Sequence, residues 1–255
     1  MTAGREPTVR DVADWWATGI SRIEPGIIEL RGRPVQDLLG TTGFVETIWL
    51  LLRGDLPHSR HAALLEAALV ASVDHGPHAP SIAAARMAAT CGIGLNGAMA
   101  TGINVLGDVH GGAGQQCVQL LNEICEAAAA DEVIAAWRAR DPYLPGFGHR
   151  FHPVDPRRDP LLSLVDEAVR DGVVAGRHLA AARAIEAVLG PRVPMNVDGA
   201  TAVIYAELGF APPLARGLFV LGRTVGILAH AWEETQQGRR IKGPIPPGIQ
   251  PTYRP

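Results

Sequence analysis

The sequence predicts an all-α fold with one short β-hairpin near its N-terminus. Two observations carry that prediction. Alanine-rich stretches with apolar residues three and four positions apart recur along the 255 residues. Prolines and glycines gather mostly between those stretches, where they end one helix and start the next.

In chain order, residues 26–35 (Gly-Ile-Ile-Glu-Leu-Arg-Gly-Arg-Pro-Val) read as strand, short enough to be a hairpin. Helices follow over 61–73, 81–90, 115–130, 159–170, 176–189 and 213–234. A further buried helix begins at Asn196-Val197-Asp198-Gly199 and continues into an apolar run. Residues 141–160 form a long irregular connection, and such a segment inside a compact domain is usually functional or disordered. The tail from Gly243 to Pro255 holds five prolines in thirteen residues.

Composition excludes several classes of function. A formal net charge of -3 with 19% charged residues gives no basic footprint for nucleic acid. The longest apolar stretches, such as 62–73, contain Glu or fall short of a membrane span, so no membrane partner is expected. The first nine residues carry Arg5 and Glu6 and no apolar run of a secretory signal. Cys91, Cys117 and Cys125 are odd in number, and neither metal nor redox spacing relates them. They read as reduced core residues of a cytoplasmic protein.

Three side chains stand out as acid/base candidates. His149 lies in Pro145-Gly146-Phe147-Gly148-His149-Arg150, a turn that exposes amide N–H groups beside an imidazole able to polarise a carbonyl. His110 precedes Gly111-Gly112 and a helix start, where the positive end of the dipole favours neutral imidazole. Asp198, in the first turn of an apolar helix, reads either as an N-cap or as a general base. Asp74-His75-Gly76-Pro77-His78 has no cysteine or third histidine at metal spacing, so it suits helix termination or contact with a carboxylate. No metal site is expected. Arg157, Arg223 and Arg240 are candidate carboxylate clamps. His230, Glu233 and Glu234 read as structural.

Taken in order, His110-Gly111-Gly112, Gly146-Phe147-Gly148-His149, Asp155-Pro156-Arg157, Asn196-Val197-Asp198 and Gly222-Arg223 resemble the citrate synthase family. The resemblance extends over residues 20–242 and includes the hairpin region 20–39 and the segment Phe44 to Pro57. It implies a two-lobed helical fold, with 1–110 and 196–255 as the large, dimerising lobe and 111–195 as the small lobe carrying the His149 loop. By that resemblance Asp198 takes the methyl proton of acetyl-CoA, His110 stabilises the enol(ate), and His149 hydrogen-bonds the carbonyl of oxaloacetate. His75, Arg157 and Arg223 then hold carboxylates, with Arg240 reaching a neighbouring subunit's site. Gly146, Gly148 and Arg150 contact CoA, which acts as a thioester substrate with no tightly bound cofactor. The partners implied are an acyl-CoA, a 2-oxo acid and further copies of the chain, in a homodimer or higher homo-oligomer.

The interval from His149 to Asp155-Pro156-Arg157 is one residue shorter than the family's pattern, which selects Arg157 over Arg158. The short chain and the Asp74-His75-Gly76-Pro77 and Asn196-Val197-Asp198-Gly199 phrasing resemble citryl-CoA lyase and the lyase module of ATP-citrate lyase. Retention of His110 resembles the synthases instead. The expected activity is reversible Claisen-type cleavage or formation, first as a citryl-CoA lyase. The alternatives are a compact citrate or 2-methylcitrate synthase that also hydrolyses the thioester, and a non-catalytic acyl-CoA-binding regulatory homologue.

Overall fold

The computed structural model describes residues 8–127, 129–246 and 248–254. Among these lie twelve helices and one three-stranded sheet, the mainly helical class that the periodicity predicts. The chain divides into two compact units, residues 1–62 and 63–255, with the division inside one helix.

In the first unit, α1 (Val9–Trp15) is capped by Thr8 and Asp11 in a reciprocal box. The hairpin proves to be an antiparallel meander of β1 (Ser21–Glu24), β2 (Ile27–Leu30) and β3 (Arg33–Pro34), in the order β1-β2-β3. Both its turns use glycines at positive φ, Gly26 and Gly32. After α2 (Val35–Leu38) comes α3 (Phe44–Arg53), which buries Ile48, Trp49 and Leu50 and ends on left-handed Gly54. Arg31 binds the Leu51 carbonyl through Nε and Nη2 at 3.0 and 2.7 Å, tying the meander to α3.

In the second unit, α4 (Ser59–Ser72, which begins in the first) is followed by α5 (Pro80–Ala89) and α6 (Leu95–Asn104). Then come α7 (Ala113–Glu126), α8 (Ala130–Arg140), α9 (Arg158–Arg170) and α10 (Arg177–Leu189). The last two are α11 (Val197–Glu207) and α12 (Pro212–Gln236). Helix α11 is the centre: every residue from Gly199 to Ala206 is buried, and α7, α9, α10 and α12 pack around it. That is why its sequence is apolar on all faces. α5, α6 and α12 share a core of Ile82, Ile227 and small residues such as Ala85, Ala98 and Ala231. Close approach there depends on glycine. A Cβ on Gly102 would lie 2.8 Å from the Ser81 carbonyl, and one on Gly226 only 2.1 Å from that of Val73.

Three expectations are corrected. The helix predicted over 115–130 is two helices, α7 and α8, because a run of alanines carries no periodicity to mark the break (residue 128 lies outside the described residues). Helix α12 is, by length and composition, apolar enough to cross a membrane, yet it is a packing helix of this core with Arg223 and Glu234 buried. Of the cysteines only Cys117 is a fully buried core residue; Cys125 is partly covered and Cys91 is exposed. The N-terminal segment read for a signal falls mainly in residues 1–7, outside the described residues.

Candidate active site

Asp198, His110 and His149 line one cleft of 350 Å³, together with His75, His78, Arg150, Arg157, Arg223, Phe151 and Phe219. The sequence brings them there by backbone pinning. Residues 146–148 run antiparallel to 194–196, with Phe147 bridged to Met195, Gly148 N–H donating to the Pro194 carbonyl at 2.8 Å and Asn196 N–H to that of Gly146 at 2.9 Å. Asn196 also caps α11, its Oδ1 accepting from the amides of Asp198 and Gly199, while its Nδ2 donates to the Gly148 carbonyl at 2.5 Å. One side chain thus holds both the His149 loop and the first turn that carries Asp198. Asn196, and not Asp198, is the cap, which frees the Asp198 carboxylate for chemistry.

That carboxylate makes no hydrogen bond or ion pair among the described residues. Burial pushes its pKa above the ordinary 3.8, against the pull of Arg223 and Arg157, while Asp155 adds to the rise. An unpaired, partly desolvated carboxylate is a stronger base than one in water.

The two histidines are both neutral donors, by opposite routes. His110 Nε2 accepts the Ser81 backbone N–H at 3.2 Å and lies 3.0 Å from Ser81 Oγ. Ser81 stands in the first turn of α5, directly after Pro80, so the positive end of that helix meets the ring. An Nε2 that accepts leaves the proton on Nδ1. Burial, then Arg223, holds His110 below 6.5. His149 accepts at the other nitrogen: its Nδ1 takes the amides of Phe151 and His152, both at 3.0 Å, so Nε2 carries the proton. Burial lowers its pKa as well, partly opposed by Asp155, whose carboxylate is 3.9 Å from Nε2.

Asp155 is the organiser of this end of the cleft. It is fully covered, accepts from Arg157 Nε and Nη2 at 2.9 Å each, and also takes the Val197 amide at 3.1 Å. Burial works against its charge, but these donors hold its carboxyl down at about 2. Arg157 is thereby fixed with a further Nη1 bond to the Ala71 carbonyl, whereas Arg158 turns away to pair with Glu186. Arg223, on α12 and only 5% exposed, donates from Nε to the Ser72 carbonyl at 3.0 Å and lies 5.0 Å over the Phe219 ring.

Folding also assembles a third imidazole that sequence spacing did not reveal: His75, His149 and His152 have ring nitrogens within 4.8 Å of one another. The surroundings suit an anion rather than a cation. A metal-bound histidine donates its second N–H to an acceptor, but the second nitrogen of His149 faces two N–H donors. Burial, then Arg157, His149 and Arg223, lowers the pKa of His75, and the two guanidiniums beside it favour an anion over a cation.

The remaining predicted residues are distributed differently. Gly148 and Arg150 line the cleft and also an adjoining cavity of 780 Å³. That cavity adds Arg138, Arg192, Tyr143 and Val193, all missed from the sequence. Gly146 is buried instead, where a Cβ would lie 2.7 Å from Gly199 Cα and 2.8 Å from Cys117 Sγ. Arg240 is exposed beyond α12 and lines neither cavity. Ser81 was also missed as a functional residue; Pro80 followed by Ser81 is a helix-start signal that could have found it.

A family model for the citrate synthase C-terminal domain matches residues 57–245. The chain belongs to the citrate synthase family. It is similar to the structure of citryl-CoA lyase from Hydrogenobacter thermophilus, with a TM-score of 0.82 and 32% identity over 94% of this chain and 95% of that one. The citrate synthase of Pyrobaculum aerophilum superposes with a TM-score of 0.68 at 26% identity, covering 84% of this chain and 55% of that one. By sequence, glyoxysomal citrate synthase of Cucurbita maxima is 29% identical over 82% of this chain and 42% of its own length. The chain spans about half the length of the curated citrate synthases it matches.

Proposed function

We propose that the chain is a citryl-CoA lyase, cleaving citryl-CoA to acetyl-CoA and oxaloacetate. The observation that carries this reading is the meeting of one unpaired carboxylate with two neutral imidazole donors of opposite tautomer in a single cleft. Similarity to a solved citryl-CoA lyase at a TM-score of 0.82 and 32% identity, against 0.68 and 26% for a citrate synthase, supports the lyase direction.

In cleavage, the carbon–carbon bond breaks as the substrate hydroxyl becomes the ketone of oxaloacetate, and the electron pair passes to the acetyl-CoA enolate. His149 Nε2–H hydrogen-bonds the oxygen that becomes that ketone, and His110 Nδ1–H stabilises the enolate oxygen. Asp198 takes the hydroxyl proton as the bond breaks and delivers it to the enolate carbon, so the carboxylate is ionised before and after; in condensation the same transfer runs in reverse. Arg157 and Arg223 supply the positive field for the carboxylates, and His75 a hydrogen bond beside them. The adjoining cavity, with Arg138, Arg150 and Arg192 beside apolar walls, suits the phosphates and adenine of CoA. Closure of 111–195 over the cleft would exclude water from the enolate, and Arg240 would serve a second subunit in a homo-oligomer.

Purified protein given citryl-CoA should release acetyl-CoA and oxaloacetate without free CoA. Free CoA with citrate, from acetyl-CoA and oxaloacetate, would make it a compact synthase instead. Binding of acyl-CoA with no turnover of either mixture would make it a regulatory homologue.

A further inference from the structure

Behind the His75 turn lies a chain of polar and charged side chains, with Arg86 and Glu234 buried in it, that the reaction does not use. His230, on α12, has Nε2 at 3.3 Å from both oxygens of Asp74, the residue before His75. Its Nδ1 is 2.9 Å from Arg86 Nη1 on α5. A guanidinium can only donate, so Nδ1 accepts and the ring proton sits on Nε2, aimed at Asp74. Arg86 is held in turn by Glu233 at 2.5 Å and by fully buried Glu234 at 2.6 Å. Lys242, just beyond α12, completes the set by pairing with Glu234 at 2.8 Å, while its amide binds Thr90 Oγ1. On its other side the Asp74 carboxylate accepts the Gly76 amide at 3.1 Å, closing the turn around His75. Helix α12 comes this near only because residue 226 is glycine.

We infer that His230 is a positioning residue for His75, acting through Asp74 with its tautomer locked by Arg86. Arg86 makes this a directional contact: the other tautomer would set an N–H against the guanidinium, and rotating the ring by half a turn would turn C–H groups toward both Arg86 and Asp74. Placed thus, Asp74 fixes the Asp74–Gly76 turn, and the turn fixes where the His75 imidazole enters the carboxylate end of the cleft.

The inference rests on the proposed function for the ligand it names, so the test reads the ring as well as the ligand. Nitrogen NMR of the intact chain should show His230 protonated at Nε2 and bare at Nδ1. His230→Ala should move the His75 ring signals and weaken oxaloacetate, measured by calorimetry, by about tenfold. His230→Gln, whose amide can still donate to Asp74, should recover most of that affinity, which a merely space-filling role would not predict. Asp74→Asn serves if His230→Ala does not fold, and should shift the same His75 signals. A proton on Nδ1 of His230, or unmoved His75 signals in a folded variant, overturns the inference. Wild-type protein that fails to bind oxaloacetate overturns the functional reading instead, and leaves the His75 signals to decide this one.

Discussion

The His110 corner and the His149 loop solve one problem with opposite chemistry. Each ring is kept neutral by backbone N–H groups donating to one nitrogen, which leaves the other as a hydrogen-bond donor. At His110 the capping amide belongs to the first turn of α5 and the accepting atom is Nε2. At His149 two amides of the same loop cap Nδ1. A donor set by a packed helix is rigid, whereas one set by its own loop travels with that loop. In the proposed function the helix-set donor would serve the thioester oxygen and the loop-set donor the keto acid.

Removing the base both donors serve should have the largest effect. Asp198→Asn should lower turnover about 10²- to 10⁴-fold and yet raise the melting temperature at neutral pH. The sign follows from its raised pKa: above the unfolded value the buried carboxylate costs stability, and the gain should vanish as pH falls below 3.8.

Next come amide replacements that copy one ring nitrogen each. Asn places its NH₂ near the Nδ1 position and Gln near Nε2, so His110→Asn should outperform His110→Gln, and His149→Gln should outperform His149→Asn. A difference of about tenfold in kcat is expected in each pair, and the reverse order at either site would refute its tautomer.

Smaller again is Ser81→Pro, which keeps the helix start but deletes the amide at His110. Activity needs Asp198 ionised and both rings neutral, so the acid limb of wild-type kcat/KM should carry an Asp198 titration raised above the ordinary carboxylate value. In the variant the pKa of His110 should rise, with turnover down about tenfold. Least affected in chemistry, Asn196→Ala should cost about 1–2 kcal/mol in denaturant unfolding and raise KM more than it lowers kcat.

What was legible in the sequence follows from range. The helices could be read because their periodicity is local, and α11 because its apolar run has no polar face. The spacing of Asp155, Pro156 and Arg157 pointed to Arg157, which lines the cleft, and not to Arg158, which pairs with Glu186. Contacts made across the fold could not be read. His152 meets His75 only once the 141–160 connection is folded back, and Ser81 meets His110 across 29 residues. Helix α6 was missed because Gly94, Gly97 and Gly102 look like breakers, although Gly102 is there for close approach to α5. The role of Asn196 was hidden by Asp198 two places on, since both residue types are good caps.

The contact of Gly146 with Gly199 also bears on redesign. Backbone lies against backbone there, with Cys117 filling the third side, so a methyl group at either glycine has nowhere to go. Any library aimed at new acyl chains or keto acids should leave those two positions alone. Diversity belongs at Arg150 and Phe151, which line the cleft from its solvent side, where a new side chain can change substrate scope without prying the loop from the helix.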